Sequence, residues 1–396
     1  MGANSILDRV AIVGMGCTPF REHWAKDTND LLLEASHGAL ASAGIDLDEV
    51  DAFWLGTFGS GFSGLTLSQP LKIDHRPVTR LENMCATGSE TLRNAAYAVA
   101  SGAYDVAMAI GVEKLKDSGM SGLAAAQPPG DGTAATISAP ASFSLLGPAY
   151  QRKYGIDEMQ MKGVLTHIAW KNHQNGAKNP LAQFRQQVSK ESICGSPLVA
   201  GSLGIYDCSG VADGSAAAIV VRAEDAHRYT DRPLYIKALS LAAGPGTGPT
   251  DPDYDYTTFT EVVRSAESAY RQAGISDPRS ELALAEVHDC FTPTELILME
   301  DLGFATRGTA WKQVLDGAFD LDGDLPVNPD GGLKSFGHPI GASGLRMLYE
   351  CWLQLRGEAQ SRQIDNGRTL ALTQNLGGRP GACVSFVGIV GSKLSA

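Results

Sequence analysis

The chain has 396 residues, with 32 basic and 44 acidic side chains for a formal charge of −12, and is 43% hydrophobic and 19% charged. That balance excludes a disordered chain, its acidity argues against nucleic acid or an anionic membrane as partner, and no apolar run approaches the ~18 residues of a membrane span. The length calls for two or three units around a sizeable core. No basic stretch followed by an apolar one opens the chain, Ile6 fills the position a myristoylation signal needs for Ser or Thr, and Ser392-Lys-Leu394 is followed by two more residues, so the cytoplasm is the expected compartment.

In chain order, Glu34 to Phe53 reads as a helix ending in Ala-Gly-Ile, a polar turn and a short strand. Gly59-Ser-Gly-Phe-Ser-Gly64 satisfies the dinucleotide spacing GxGxxG, but no helical pattern is visible from there to Pro70, so a pyrophosphate site is not expected. Asn83-Met-Cys-Ala-Thr-Gly-Ser89 then places Cys85 ahead of the apolar run Leu92 to Val99, where a helix dipole and free backbone N–H groups favour a thiolate. A helix to Ser101 and a strand from Val106 to Ile110 follow. Ala124 to Ala139 reads as loop. From Tyr150 to Lys190 seven basic residues face two acidic ones, a local excess of positive charge that is either a solvated face or a site for a phosphorylated ligand.

Ser265 to Phe291 repeats the first pattern of helix, Ala-Gly-Ile, turn and strand, and ends in Val287-His-Asp-Cys-Phe291. Asp320-Leu-Asp-Gly-Asp324 lacks the spacing and closing Glu of a calcium loop and reads as a solvated turn. Asn328-Pro-Asp-Gly-Gly332 leads into Ser335-Phe-Gly-His-Pro-Ile-Gly-Ala-Ser343, where Gly337 and Pro339 hold His338 in a tight turn before a helix to Arg356. A strand from Leu370 to Thr373 and a turn at Asn375-Leu-Gly-Gly378 mirror the first half, so the chain is a diverged internal repeat. Strands alternating with helices imply mostly parallel sheets covered on both faces. The seven cysteines contain no CxxC pair, which argues against a disulfide framework or a zinc ribbon. Five of them (17, 194, 208, 351 and 383) read as buried hydrophobes, leaving Cys85 and Cys290.

The segments around Cys85, His288 to Cys290, His338 and Asn375 together resemble the thiolase superfamily, and the His-Asp-Cys-Phe element resembles its sterol-carrier-protein-2-type branch. The resemblance implies an α/β thiolase fold: two repeated βαβαβ halves forming a five-layered α/β/α/β/α body with an inserted loop domain. The boundaries it implies are residues 1–115 with 206–234 for the N-terminal half, 116–205 for the CoA-binding insert and 235–396 for the C-terminal half. It implies Cys85 as nucleophile, Cys290 as base and later acid, and an oxyanion hole from His338 with a water held by His288. A second hole would use the backbone N–H groups of Cys85 and Gly377. Lys153, Lys162 and Lys171 are the expected CoA-binding residues.

Asn375 departs from thiolases that keep a second cysteine at that place, and Arg379-Pro380 replaces the small residues usual after it. The expected activity is thiolytic cleavage of a 3-ketoacyl-CoA or the reverse Claisen condensation. It would take coenzyme A as substrate, hold no permanent cofactor or metal, and work as a homodimer or dimer of dimers, in fatty-acid or sterol side-chain degradation. Two alternatives stay open: a thiolase-fold retro-aldolase or C-acyltransferase working with a small OB-fold, zinc-ribbon protein, and a non-enzymatic acyl-CoA or lipid carrier.

Overall fold

The computed structural model describes residues 6–118 and 137–395; most of the expected loop at Ala124 to Ala139 lies outside the described residues, and Ala139 itself opens a short helix, Ala139–Phe143. Eleven strands are present among the described residues: β1 Val10–Cys17, β2 Ala52–Gly56, β3 Val78–Leu81, β4 Val106–Glu113, β5 Leu198–Ala200, β6 Leu203–Gly204, β7 Gly214–Arg222, β8 Leu234–Ala243, β9 Leu282–Glu286, β10 Leu370–Arg379 and β11 Ala382–Gly391. β5 and β6 form a small hairpin, and the other nine run in the order β3-β2-β4-β7-β1-β8-β11-β10-β9.

The repeat is visible in the local chemistry. Helix Thr28–Ala43 is capped at its start by reciprocal bonds between Asp27 and Asp30 and ends at Gly44, whose φ of 69° is left-handed. Helix Thr260–Ala273 ends the same way at Gly274, with φ 72°. In each half the glycine lets the chain reverse into the next strand, β2 or β9. Each of those strands then pairs in parallel with its neighbour: β2 with β4, and β9 with β10. A remnant of β3 also recurs, as a parallel bridge between Ala285 and Val327.

The expectation of mostly parallel sheets is corrected. Only β2–β3, β2–β4 and β9–β10 are parallel, and the other five contacts in the sheet are antiparallel. The inner strands of each half, β1 with β7 and β8 with β11, return antiparallel, and among the described residues the sheet joins the halves through the β1–β8 pairs Ala11–Tyr235 and Ile12–Leu234. A second correction concerns Asn375 to Gly378, which lie inside β10 rather than in a turn; the reversal comes at Pro380 and Gly381.

Three apolar cores define the layers. Helix Thr28–Ala43 covers one face of the N-terminal strands, burying Leu31, Ala35 and Ala39 against Val13, Met108 and Ile219. Helices Thr260–Ala273 and Thr292–Asp301 cover the far face of the C-terminal strands. Between the two sheet halves lie helices Thr87–Ala100 and Ser343–Leu355, whose Leu92, Ala96, Leu345 and Leu348 pack on strands of both. The result is the α/β/α/β/α stack. The two central helices approach closely: a Cβ on Gly88 would lie 2.9 Å from the Gly341 carbonyl, and one on Gly344 would lie 2.2 Å from Ser89 Oγ.

The Gly59 to Gly64 loop is followed by a helix after all, Leu65–Leu71. Its donors are nonetheless committed within the fold. The N–H of Phe58, the N–H of Gly59 and the Ser60 hydroxyl all donate to the buried carboxylate of Glu113, so the loop cradles an internal anion instead of a ligand phosphate.

Candidate active site

The starts of the two central helices, related by the repeat, carry Cys85 and His338. Cys85 lies two residues before helix Thr87–Ala100, on a turn that forces Met84 to a positive φ of 50°. The Thr87 hydroxyl holds this turn by accepting the Asn83 N–H and donating to the Met84 carbonyl. His338 follows Gly337, which has φ 111° and so favours glycine. Its backbone N–H donates to the Gly210 carbonyl, and its ring is fully buried.

One nitrogen from each of His288 and His338 and the Cys85 sulfur all lie within 4.8 Å of one another. The imidazole planes of His288 and His338 meet edge to face, 5.5 Å between centroids. The Ser343 hydroxyl donates to the Pro339 carbonyl, so at 2.7 Å from His338 Nδ1 it must accept, and Nδ1 carries the proton. Nε2 of His338 is therefore a bare lone pair, and it has no hydrogen-bond partner among the described residues. For His288 the assignment is reversed: Ser89 Oγ donates to Asn375 Oδ1, and Asn375 Nδ2 donates to His288 Nδ1, which leaves the proton on Nε2. The site thus holds one imidazole ready to accept a proton and one ready to donate.

Burial sets the protonation of all four groups. It pushes His338 down to about 3, helped by the nearby Arg346 charge, and His288 well below the ordinary histidine range. Burial of the sulfur, reinforced by the negative fields of Glu82 and Glu113, pushes the Cys85 thiol up to about 12, and Cys290 is raised as well. The expectation of a resting thiolate at Cys85 is therefore corrected. The backbone N–H groups of Cys85 and Gly378 do act on the sulfur in the expected direction, but desolvation outweighs them. The N–H that reaches the sulfur from β10 is that of Gly378; Gly377 is instead the point of close approach, where a Cβ would lie 2.5 Å from the Asn83 carbonyl.

Cys290 lies between β9 and helix Thr292–Asp301, buried, with its thiol 3.7 Å from Thr294 Oγ1 and close enough to Cys85 for their charges to interact. Asp289 beside it ties this segment to the one before His338, accepting the N–H groups of Leu333 and Lys334 and the amide of Asn172. Beneath, Arg346 is wholly buried and pairs with Glu286 at 2.7 Å and with Asp330. These connections bring Cys85, His288, Cys290 and His338 into one site from three segments.

The family descriptions "Thiolase, N-terminal domain" and "Thiolase C-terminal domain-like" match residues 10–224 and 251–387. The chain belongs to the thiolase family. Among relatives of this thiolase, the acetyl-CoA acetyltransferase of Methanothermobacter thermautotrophicus is 36% identical, over 96% of this chain and 98% of that one. Human sterol carrier protein 2 is 32% identical, over 94% of this chain and 70% of its own length. Among solved structures, the Ltp2-ChsH2(DUF35) aldolase superposes with a TM-score of 0.83 at 24% identity, covering 99% of this chain and all of that one. With archaeal acetyltransferases similar over nearly its whole length, this thiolase is an acyltransferase, and no helix among its described residues is long and apolar enough to cross a membrane.

The three expected CoA lysines do not form one face. Lys171 is a correction: it is buried, pairs with Glu295 at 2.7 Å and donates to the Val327 carbonyl, so its charge is spent inside the fold. Lys153 is exposed but already bonded to Asp255 and Thr257. Lys162 is half-buried on helix Glu158–Ala177. The Asp320 to Asp324 turn is solvated as expected at Asp322 and Asp324, with Asp324 also paired to Arg279 and Asp320 bonded to His167.

Sequence reasoning missed the partners that hold these side chains. Ser343 and Ser89 lie within the quoted motifs, and their small hydroxyls next to His and Cys were the available signal. Lys334 gave another, a lysine inside a glycine-rich apolar stretch. It is buried among Asp207, Asp289 and Glu295, and its ammonium has no hydrogen-bond partner among the described residues.

Proposed function

We propose that this thiolase catalyses the CoA-dependent cleavage of a 3-ketoacyl-CoA, or the reverse Claisen condensation, through an acyl-Cys85 intermediate. The observations that support this reading are a His338 nitrogen within 4.8 Å of the Cys85 sulfur and the bare lone pair on His338 Nε2. In the cleavage direction His338 takes the Cys85 proton as the sulfur attacks the 3-keto carbon, so charge is created only as the bond forms. The Cα–Cβ bond then breaks. The acyl group stays on Cys85, and the enolate of the departing acetyl-CoA receives its proton from Cys290. The thiol of free CoA next gives its proton to the Cys290 thiolate and attacks the acyl-Cys85 carbonyl; the Cys85 sulfur leaves and takes its proton back from His338 as acyl-CoA is released. His338 with the Nε2–H of His288 would stabilise the enolate oxygen, and the backbone N–H groups around Cys85 the tetrahedral intermediate.

The inserted segment with its basic excess would hold the CoA, with Lys162 and the periphery of Lys153 remaining from the expected set. The open edge of β3, beside the exposed Phe62 and Leu65, is the natural seam for a homodimer. Soluble cytoplasmic work on fatty-acid or sterol side chains fits this reading.

The second reading is a retro-aldolase or C-acyltransferase that needs a small OB-fold, zinc-ribbon partner. The similarity in fold to the Ltp2-ChsH2(DUF35) aldolase favours it. Turnover of acetoacetyl-CoA separates the two: we expect CoA-dependent cleavage by the protein alone, reduced at least ~10³-fold in Cys85→Ala, with the intact-mass acyl adduct lost together with activity. Aldol cleavage of a 3-hydroxyacyl-CoA that survives Cys85→Ala, or activity only with a partner present, would put the second reading in place of the first.

A further inference from the structure

We infer that Cys85, His288 and His338 form a binding site for a thiophilic divalent cation of the zinc class, occupied in competition with acylation of Cys85. The ligand set is one sulfur and two imidazole nitrogens, the donors zinc prefers. They lie within 4.8 Å of one another, and tetrahedral zinc with bonds of about 2.0–2.3 Å requires closing that span by roughly an ångström of side-chain rotation.

Four further observations support the site. His338 Nε2 is a buried nitrogen with no hydrogen-bond partner among the described residues, on the ring that supplies one of the three clustered donors. Its other nitrogen donates to Ser343, the outer-shell arrangement that orients metal-bound histidines, and Asn375 beside His288 Nδ1 supplies the same arrangement once its amide turns over. Glu82 and Glu113 impose a negative field on the sulfur, which favours a cation there. Cys85 is only half-buried as a residue, and three protein ligands leave a fourth tetrahedral position open.

Binding balances as follows. The Cys85 thiol releases one proton to solvent, and the sulfur lone pair forms the metal bond. His338 is already neutral with Nε2 free. His288 moves its proton from Nε2 to Nδ1, and the Asn375 amide turns over so that its oxygen accepts that proton while its NH2 group donates to Ser89. The net cost is one proton per ion, so affinity rises with pH. No local spacing in the sequence reveals the site, because its ligands come from positions 85, 288 and 338. The inference does not depend on the acyl-transfer reading, since it concerns only the geometry of three donors.

The test is titration of the reduced, full-length protein with Co²⁺ under anaerobic conditions, and with Zn²⁺ by calorimetry. We expect one ion per chain, a near-ultraviolet thiolate-to-cobalt band with tetrahedral visible bands, and about one proton released. The band should vanish in Cys85→Ala, and Zn²⁺ affinity should fall ~10–100-fold in Ser343→Ala. In the unmodified protein, Zn²⁺ should slow alkylation of Cys85 by iodoacetamide, and EDTA should restore it, a readout independent of whether any variant folds. Absence of the sulfur band, its persistence in Cys85→Ala, or unchanged alkylation of Cys85 at saturating Zn²⁺ would each overturn the inference.

Discussion

The two halves use one scaffold for opposite electrical tasks at the same place. In the N-terminal half the start of the central helix carries Cys85, partly exposed, with its proton bound tightly by burial and by Glu82 and Glu113. In the C-terminal half the equivalent start carries His338, fully buried, with no proton on Nε2. Each half also uses a buried carboxylate to hold its glycine-rich loop, Glu113 for the N–H groups of Phe58 and Gly59 and Asp289 for those of Leu333 and Lys334. The difference teaches that the repeat supplies position, while a few side chains decide which end gives a proton and which takes it. A neutral pair waits at the site without the desolvation cost of a resting ion pair.

The comparison breaks most visibly if Cys290 is removed. Cys290→Ala should still form the acyl adduct on Cys85, yet slow deuterium exchange into the methyl group of acetyl-CoA by ~10²–10⁴-fold, because proton transfer at the α-carbon has lost its group. Mass spectrometry follows the first and NMR the second. Exchange at the normal rate would assign the base to another residue.

A smaller effect sharpens the role of the C-terminal half. Ser343→Ala removes the hydroxyl that fixes the His338 tautomer, and kcat should fall ~10–100-fold, on the scale of losing an outer-shell histidine partner. Acylation of Cys85 measured in a single turnover should slow by the same factor, and Ser343→Thr should restore most of it. Equal loss in both variants would mean that the hydroxyl only fills space.

The smallest effect is on stability, and it has opposite signs in the two halves. His338 and His288 are held neutral when folded but take up protons near 6.5 when unfolded, so stability falls as pH drops below about 6.5, and for His338 the loss continues down to about 3, at up to ~1.4 kcal/mol per pH unit for each ring. Cys85 behaves oppositely: its thiol ionises near 9 when unfolded and only at about 12 when folded, so its contribution is lost as pH rises above 9. Urea midpoints of the wild type and His338→Asn at pH 7 and 5 check the first, with a flatter response expected in the variant. Cys85→Ala should flatten the alkaline side alone.

What could be read from the sequence was local in its physics. Gly44 and Gly274 end their helices by their own backbone freedom, so the repeat was visible as two Ala-Gly-Ile endings. The four site side chains likewise stood in short motifs. Strand direction was not readable, because the partners of β7 and β11 lie far away in the chain. The glycines at 377 and 378 looked like a turn, but Gly377 is required where β10 passes the Asn83 carbonyl. The thiol was misjudged for the same reason: a helix start is visible locally, whereas burial and the field of Glu113 come from distant segments. Lys171 counted as free charge only until Glu295, on another helix, was placed beside it.

The contact of Gly88 with the Gly341 carbonyl and of Gly344 with Ser89 has a consequence for engineering by recombination. Halves exchanged between related chains would retain their own folds, yet a chimera carrying alanine at either position would hold the central helices apart where Cys85 and His338 must meet. Libraries of swapped halves should therefore be filtered first on this pair of glycines, and only then on the residues that line the pocket.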